Sequence, residues 1–483
     1  MKGNTRISRN RRWTISAVAL VAVIGLSVAG YFIYDMGYRL TGYVAKQTCS
    51  LVFVTQQPLE TVLAELQEDN PFIRYVDVEL NLQEPGTLAS IAGWFESIAI
   101  YRSPVGATLV FPEYETAIMN FPLPKIPEPS SPDSNKTAFV PLGAADVNLL
   151  NRINRPALAG ALKYAFAEPD DGESHRRTRA IVVVWKDHVI AEKYHPDFGP
   201  DSLLLGWSMS KSITNLLIGR RIQQGGDLSL AATGLRPEWL KDDRRSISLE
   251  DLLRMQSGLE FDETYSPLAD VLTMLYRRAD MGSFAASFDR VSASAPVWSY
   301  SSGTSNILSQ QLRRSFDNDR DYVQFVWDDF LLPLDIRTAQ LEFDASGTWV
   351  GSSYTYATAL DWARIGKLVL DNGRWEGQQL LPADWIARSA TPTASYRANP
   401  KTGDPPGKSY GMHWWLNRRG ADGKNWLPSV PEDAIIAWGH FGQYVVVIPS
   451  RELIIVRLGL SRGPTGWDLD AFLGPILEAL PPH

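Results

Sequence analysis

Residues 207–212 read Trp-Ser-Met-Ser-Lys-Ser and open an apolar run in which Ile213, Leu216, Leu217, Ile218 and Ile222 lie largely toward one side of a helix. Ser208 and Lys211 are three positions apart, so on that helix both side chains leave the same face within reach of each other. A serine hydroxyl is a poor nucleophile at neutral pH and needs a base beside it. A lysine serves when burial lowers its pKa and lets it take the proton. The helix start also aims backbone N–H groups at any oxyanion formed there. Ser-x-x-Lys arises by chance in a chain of 483 residues, so its surroundings decide its meaning.

Upstream, helical periodicity from Ala144 to Ala167 precedes two β-rich runs, Arg179 to Trp185 and Val189 to Tyr194, split by a tight Lys186-Asp187-His188 turn. Helical patterns dominate from Trp207 to Leu380. Three strand-like runs follow, Ala434 to Trp438, Gln443 to Ile448 and Leu453 to Leu458, and a last helix spans Asp468 to Leu480. Strands at both ends with helices between predict a sheet closed by early and late segments around a helical insertion.

Within this frame lie Ile247 to Leu259 (ISLEDLLRMQSGL), Tyr300-Ser301-Ser302 and His440-Phe441-Gly442. With Ser208-Met209-Ser210-Lys211 they resemble, in motif order over about residues 145–483, the serine β-lactamase and penicillin-binding-protein superfamily. The resemblance is nearest to its class C-like esterases and 6-aminohexanoate-dimer (nylon-oligomer) hydrolases. Tyr354 to Arg374 and Tyr410 to Trp415 look like further stretches of that family. The resemblance implies an α/β (α+β), β-lactamase/DD-peptidase-like fold, an antiparallel sheet flanked by helices plus a helical subdomain. It implies Ser208 as the acylated nucleophile, Lys211 and Tyr300 as proton shuttles, and an oxyanion site formed by the backbone N–H groups of Ser208 and Gln443. His440 and Gly442 would line the site, and Tyr265 resembles a tyrosine that contacts the substrate amide.

Two residues depart from the family pattern. Ser302 stands where the second motif has Asn, and His440 where the third has Lys. The second change removes most of the fixed positive charge that would attract a β-lactam carboxylate at pH 7. Ester or amide substrates without that carboxylate therefore fit better than penicillins. Lys401-Thr402-Gly403 spells the usual third triplet but sits among prolines and glycines that disfavour a strand.

Two alternatives compete. Gly206-Trp207-Ser208-Met209-Ser210 is one residue short of the Gly-x-Ser-x-Gly elbow of an α/β-hydrolase, with Leu203 to Leu205 as its strand and His440 as base, but the chain lacks repeated βα alternation. The other is a catalytically silent binder of cell-wall peptides. The six histidines show no metal-ligand spacing and no glycine-rich phosphate loop is present, so neither metal nor cofactor is expected.

Residues 13–34 (WTISAVALVAVIGLSVAGYFIY) carry no charge and, at ~1.5 Å per residue, suffice to cross a ~30 Å hydrocarbon core. Lys2, Arg6, Arg9, Arg11 and Arg12 precede them, placing residues 1–12 in the cytoplasm and the rest in the periplasm of a bacterium, anchored in its inner membrane. Ser27-Val28-Ala29 is a possible signal cleavage site, but Tyr31 to Tyr34 extend the apolar stretch beyond a usual signal core. After residue 12 the chain has a net charge of −12, which disfavours nucleic acid. Cys49, the single cysteine, lacks lipid-attachment flanks and reads as a passive thiol. Residues 35–120, with a helical run at Leu59 to Leu66 and an extended run from Ala107 to Phe111, read as an accessory domain. Residues 121–143 read as a proline-rich linker, and 144–483 as the hydrolase domain.

Overall fold

The computed structural model describes residues 5–127, 138–141, 144, 147–291, 296–396, 408–419 and 423–482, with side chains from Leu20 onward except at position 28. Much of the expected linker and the Lys401-Thr402-Gly403 triplet lie outside the described residues.

Seven antiparallel strands form the central sheet, in the order Ser409–Tyr410, Trp415–Leu416, Ile435–Gly439, Gln443–Ile448, Leu453–Gly459, Thr178–Trp185, His188–Tyr194. The late strand Leu453–Gly459 pairs with the early strand Thr178–Trp185, bringing Val456 opposite Val182. Alternation along each strand splits its side chains between two cores. Val182, Val184, Val445, Val447, Ile454 and Val456 face the core that contains helices Met209–Gln223 and Ala359–Leu370. Ile181, Val183, Val446, Ile448 and Ile455 face helices Arg155–Phe166 and Leu469–Ala479. The sheet is thus buried on both faces, which is why its strands read as continuous Val/Ile runs. The helix expected from Ala144 breaks into Val147–Leu150 and Arg155–Phe166, where Asn154 caps the second piece and Pro156 stands in its first turn.

Helix Met209–Gln223 departs from the one-sided pattern expected of it. Every residue from Met209 to Gly219 is buried, polar ones included. It is a central helix enclosed on all sides, and its polar side chains find partners there: Ser210 donates to Thr355 (3.0 Å) and Asn215 accepts from the indoles of Trp385 (3.1 Å) and Trp414 (3.2 Å).

The N-terminal helix runs without interruption from Thr5 to Phe53 and includes the expected span. Within it lies a stretch long and apolar enough to cross a bilayer. Its second half is packed by a meander of four antiparallel strands, Asp77–Asn81, Gly86–Ile91, Trp94–Tyr101 and Ala107–Leu109. Val44, Ala45 and Cys49 of the helix, with Ala89 and Ala99 of the meander, belong to the same apolar cluster as Met209 and Ile213. Lys46 forms a fully buried ion pair with Glu342, which also accepts from Ser50 Oγ (2.7 Å) and from the Ala107 amide (2.9 Å).

Candidate active site

Ser208 sits at the N-cap of helix Met209–Gln223, yet its side chain makes no capping bond. The turn that presents it is sharp. Trp207 has φ +48°, a left-handed conformation uncommon for a bulky residue, and the Met209 amide bonds back to the Gly206 carbonyl (3.1 Å). Gly206 is required by crowding, since a Cβ there would lie 2.3 Å from the Trp362 ring. The hydroxyl left free by this geometry is taken up by Lys211, whose Nζ donates to Ser208 Oγ at 3.0 Å.

Lys211 also donates to Ser302 Oγ and to the Ser352 carbonyl, each at 3.0 Å. Burial lowers its pKa to about 8, against a smaller opposing pull from the Glu263 carboxylate. Tyr300 arrives from the segment before helix Ser302–Arg314, which Ser301 caps through the Thr304 amide (3.1 Å). The Tyr300 ring stacks on Trp415 (5.5 Å between centroids) and lies 4.8 Å from Lys211 Nζ. Burial raises the phenol pKa, an effect only partly offset by the Ser208 hydroxyl. These opposite shifts separate the roles: near neutral pH the phenol keeps its proton, and the amine is the group able to accept one.

His440, Phe441 and Gly442 do not lie on a strand. They form the turn between Ile435–Gly439 and Gln443–Ile448, with Phe441 (φ +59°) and Gly442 (φ +78°) left-handed. Arg457, buried in the sheet, holds that turn by donating to the Gly442 carbonyl (2.6 Å). Gly439 brings it against the nucleophile segment, for a Cβ there would fall 2.1 Å from the Gly206 carbonyl oxygen. The His440 ring is edged by Trp207 and stacked on Tyr265 (5.8 Å, 1° between planes), and partial desolvation lowers its pKa below the usual imidazole value. The Gln443 side chain points away from the crevice, bridging to Gly459 by two hydrogen bonds (2.6 and 2.9 Å), so only its backbone can serve an oxyanion.

Sequence reasoning gave Glu263 no role. It accepts from Ser302 Oγ (2.5 Å) and from the Ser302 amide (2.8 Å). A hydroxyl both accepts and donates, so Ser302 links Lys211 to Glu263 in a way that depends on its own O–H. Glu263 lies beside Tyr265 in the chain, but no local pattern marks it, because its partners come from helices far away in sequence. Among the tryptophans near the site, Trp207 and Trp415 line the crevice, Trp438 packs on Trp415 and Trp426, and Trp414 is core.

Glu263→Gln removes the negative charge that holds up the Lys211 pKa. The acid limb of kcat/KM for a p-nitrophenyl ester is expected to move to lower pH than in wild type. A limb that stays put or moves up would show that Glu263 does not act on Lys211.

The fold and the site define a class: an antiparallel sheet whose edge turn closes on a serine, a buried lysine and a phenol at a helix start. A family model described as Beta-lactamase matches residues 164–471, and the chain belongs to that family. It is 26% identical over 304 residues to the 6-aminohexanoate-dimer hydrolase of Paenarthrobacter ureafaciens, covering 59% of this chain and 74% of that one. Among solved structures it is similar to EstCE1, described as a hydrolase with promiscuous acyltransferase activity (TM-score 0.52, 15% identity, 68% of this chain and 98% of the other). It is also similar to EstA from Arthrobacter nitroguajacolicus Rue61a (TM-score 0.50, 16% identity, 67% and 95%). This fold leaves no place for the nucleophile-elbow reading: Leu204–Leu205 pairs antiparallel with Tyr356–Ala357, not as a strand of a parallel sheet.

Proposed function

We propose that the chain is a membrane-anchored serine hydrolase that cleaves ester or amide bonds through an acyl-enzyme on Ser208, with its catalytic domain on the periplasmic side of a bacterial inner membrane. The observation that carries this reading is the 3.0 Å contact between Lys211 Nζ and Ser208 Oγ, made by an amine whose pKa burial has brought to about 8.

In the first half-reaction Ser208 Oγ attacks the carbonyl carbon and its proton passes to Lys211. The backbone N–H groups of Ser208 and Gln443 receive the oxyanion. The bond to the leaving oxygen or nitrogen breaks as Tyr300 donates its proton, which Lys211 replaces. Water then attacks the acyl-enzyme, gives up a proton to the same pair and releases the acid, restoring the Ser208 hydroxyl. The basic residues before an uncharged 22-residue stretch support the orientation of the anchor. Neutral His440, in place of a fixed cation, supports substrates that need no carboxylate.

Short p-nitrophenyl esters are expected to be turned over faster than nitrocefin, with a 6-aminohexanoate dimer tested alongside. A fluorophosphonate is expected to label wild type and not Ser208→Ala. Equal labelling of both would defeat the enzyme reading, and nitrocefin as the best substrate would defeat the argument from His440.

A further inference from the structure

The N-terminal helix carries its apolar stretch directly into the catalytic domain, and the first residues past that stretch are surrounded by a collar of aromatic and basic side chains. Strand Trp94–Tyr101 climbs the helix: Phe95 packs on Tyr34 (6.3 Å) and Tyr38 (5.6 Å), and Ser97 Oγ meets Thr41 Oγ1 (2.9 Å). The hairpin turn at Ala92-Gly93, both left-handed, therefore lies at the level where the uncharged stretch ends, and it leaves Trp94 73% exposed. Arg277 covers the rings of Tyr34 (5.7 Å) and Tyr38 (4.8 Å) and pairs with Asp35 (3.6 Å), and exposed Arg278 follows it.

The same level holds the rim of the crevice. Arg39 bonds Asp35 (2.6 Å) and donates to the carbonyls of Pro267 (3.1 Å) and Ala269 (3.2 Å), leaving Leu268 between them 52% exposed. Tyr265, stacked on His440, is two residues before Pro267, at most ~7 Å along the chain. Tryptophan, tyrosine and arginine at the end of an apolar helix match the chemistry of a bilayer interface, and arginine matches anionic headgroups.

We propose that Trp94, Leu268 and Arg278 seat the catalytic domain on an anionic bilayer surface, so that the mouth at Tyr265 receives amphiphilic esters or amides from the headgroup layer. This rests on the membrane-anchored reading given above. The helix supplies the tether; the collar fixes how the domain lies on the surface.

Because Cys49 is buried, a single introduced cysteine can be labelled selectively. Full-length Trp94→Cys and Leu82→Cys, each carrying a nitrobenzoxadiazole probe, are reconstituted into phosphatidylglycerol/phosphatidylethanolamine vesicles. Leu82 is 74% exposed beside the opposite end of strand Gly86–Ile91, roughly 20 Å away. The probe at 94 is expected to shift to the blue and resist dithionite, and the probe at 82 to do neither. Arg278→Glu is expected to slow hydrolysis of vesicle-borne p-nitrophenyl laurate by about fivefold or more, the effect of losing one basic contact with an anionic surface, with soluble p-nitrophenyl acetate unaffected. If the protein floats with the vesicles but both probes stay in water, or both esters respond alike, the collar proposal falls while the anchor stands. If the protein does not float with the vesicles, the anchored reading falls and the collar with it.

Discussion

Lys211→Met is expected to lower kcat/KM for p-nitrophenyl butyrate by about 10³-fold, within the range for removing a positioned general base. The substitution keeps an unbranched side chain of similar length in a buried position, so the loss should appear in turnover while the melting temperature changes little or rises. In wild type the rate should climb with pH through about 8, as Lys211 loses its proton. About a tenth of the enzyme is then in the competent form at pH 7. That limb should vanish in Lys211→Met. Retention of both rate and limb would mean that another group deprotonates Ser208, and Tyr300, whose pKa burial raises, is poorly suited to replace it.

Glu342→Ala should be the most destabilising single change where the N-terminal helix packs on the rest of the fold, by roughly 3–5 kcal/mol, as for other broken buried ion pairs. Glu342 is 0% exposed and is the shared acceptor for Lys46, Ser50 and the Ala107 amide. Its loss strands the Lys46 ammonium, 2% exposed and 4.0 Å from the Tyr354 ring, without a counter-charge. The double variant Lys46→Met/Glu342→Leu should recover most of that stability, because the cost comes from the uncompensated charge rather than from the missing attraction. Thermal unfolding of the single and double variants checks this. Equal melting temperatures for wild type and Glu342→Ala would show that the pair does not fasten the helix to the hydrolase domain.

Most of the sheet was legible in the sequence because its signals are local. The runs 179–185, 189–194, 443–448 and 453–458 are dense in Val and Ile, and each became a strand within a residue or two of its expected bounds. Ser208 and Lys211 were legible for the same reason, since three residues on one helix fix their proximity. The conformation of His440 to Gly442 was not. Its place between the runs 434–438 and 443–448 was expected, but nothing local showed that two consecutive left-handed residues, Phe441 and Gly442, make the reversal between those paired strands. The all-round burial of Met209–Gly219 was missed because periodicity registers only apolar side chains, while Ser210 and Asn215 are buried by hydrogen bonding.

By itself the sequence determined where the long strands of the central sheet lie along the chain, the hydroxyl and amine on one helical turn, and an uncharged N-terminal stretch long enough for a bilayer, all of which depend on neighbours in the chain. Only the tertiary structure decided that Glu263 stands behind Ser302 and that Tyr300 rests on Trp415. It alone paired the N-terminal helix with a carboxylate 296 residues away. Such contacts depend on where distant segments meet, and their energies come from burial and desolvation, which have no value until the fold has closed around them.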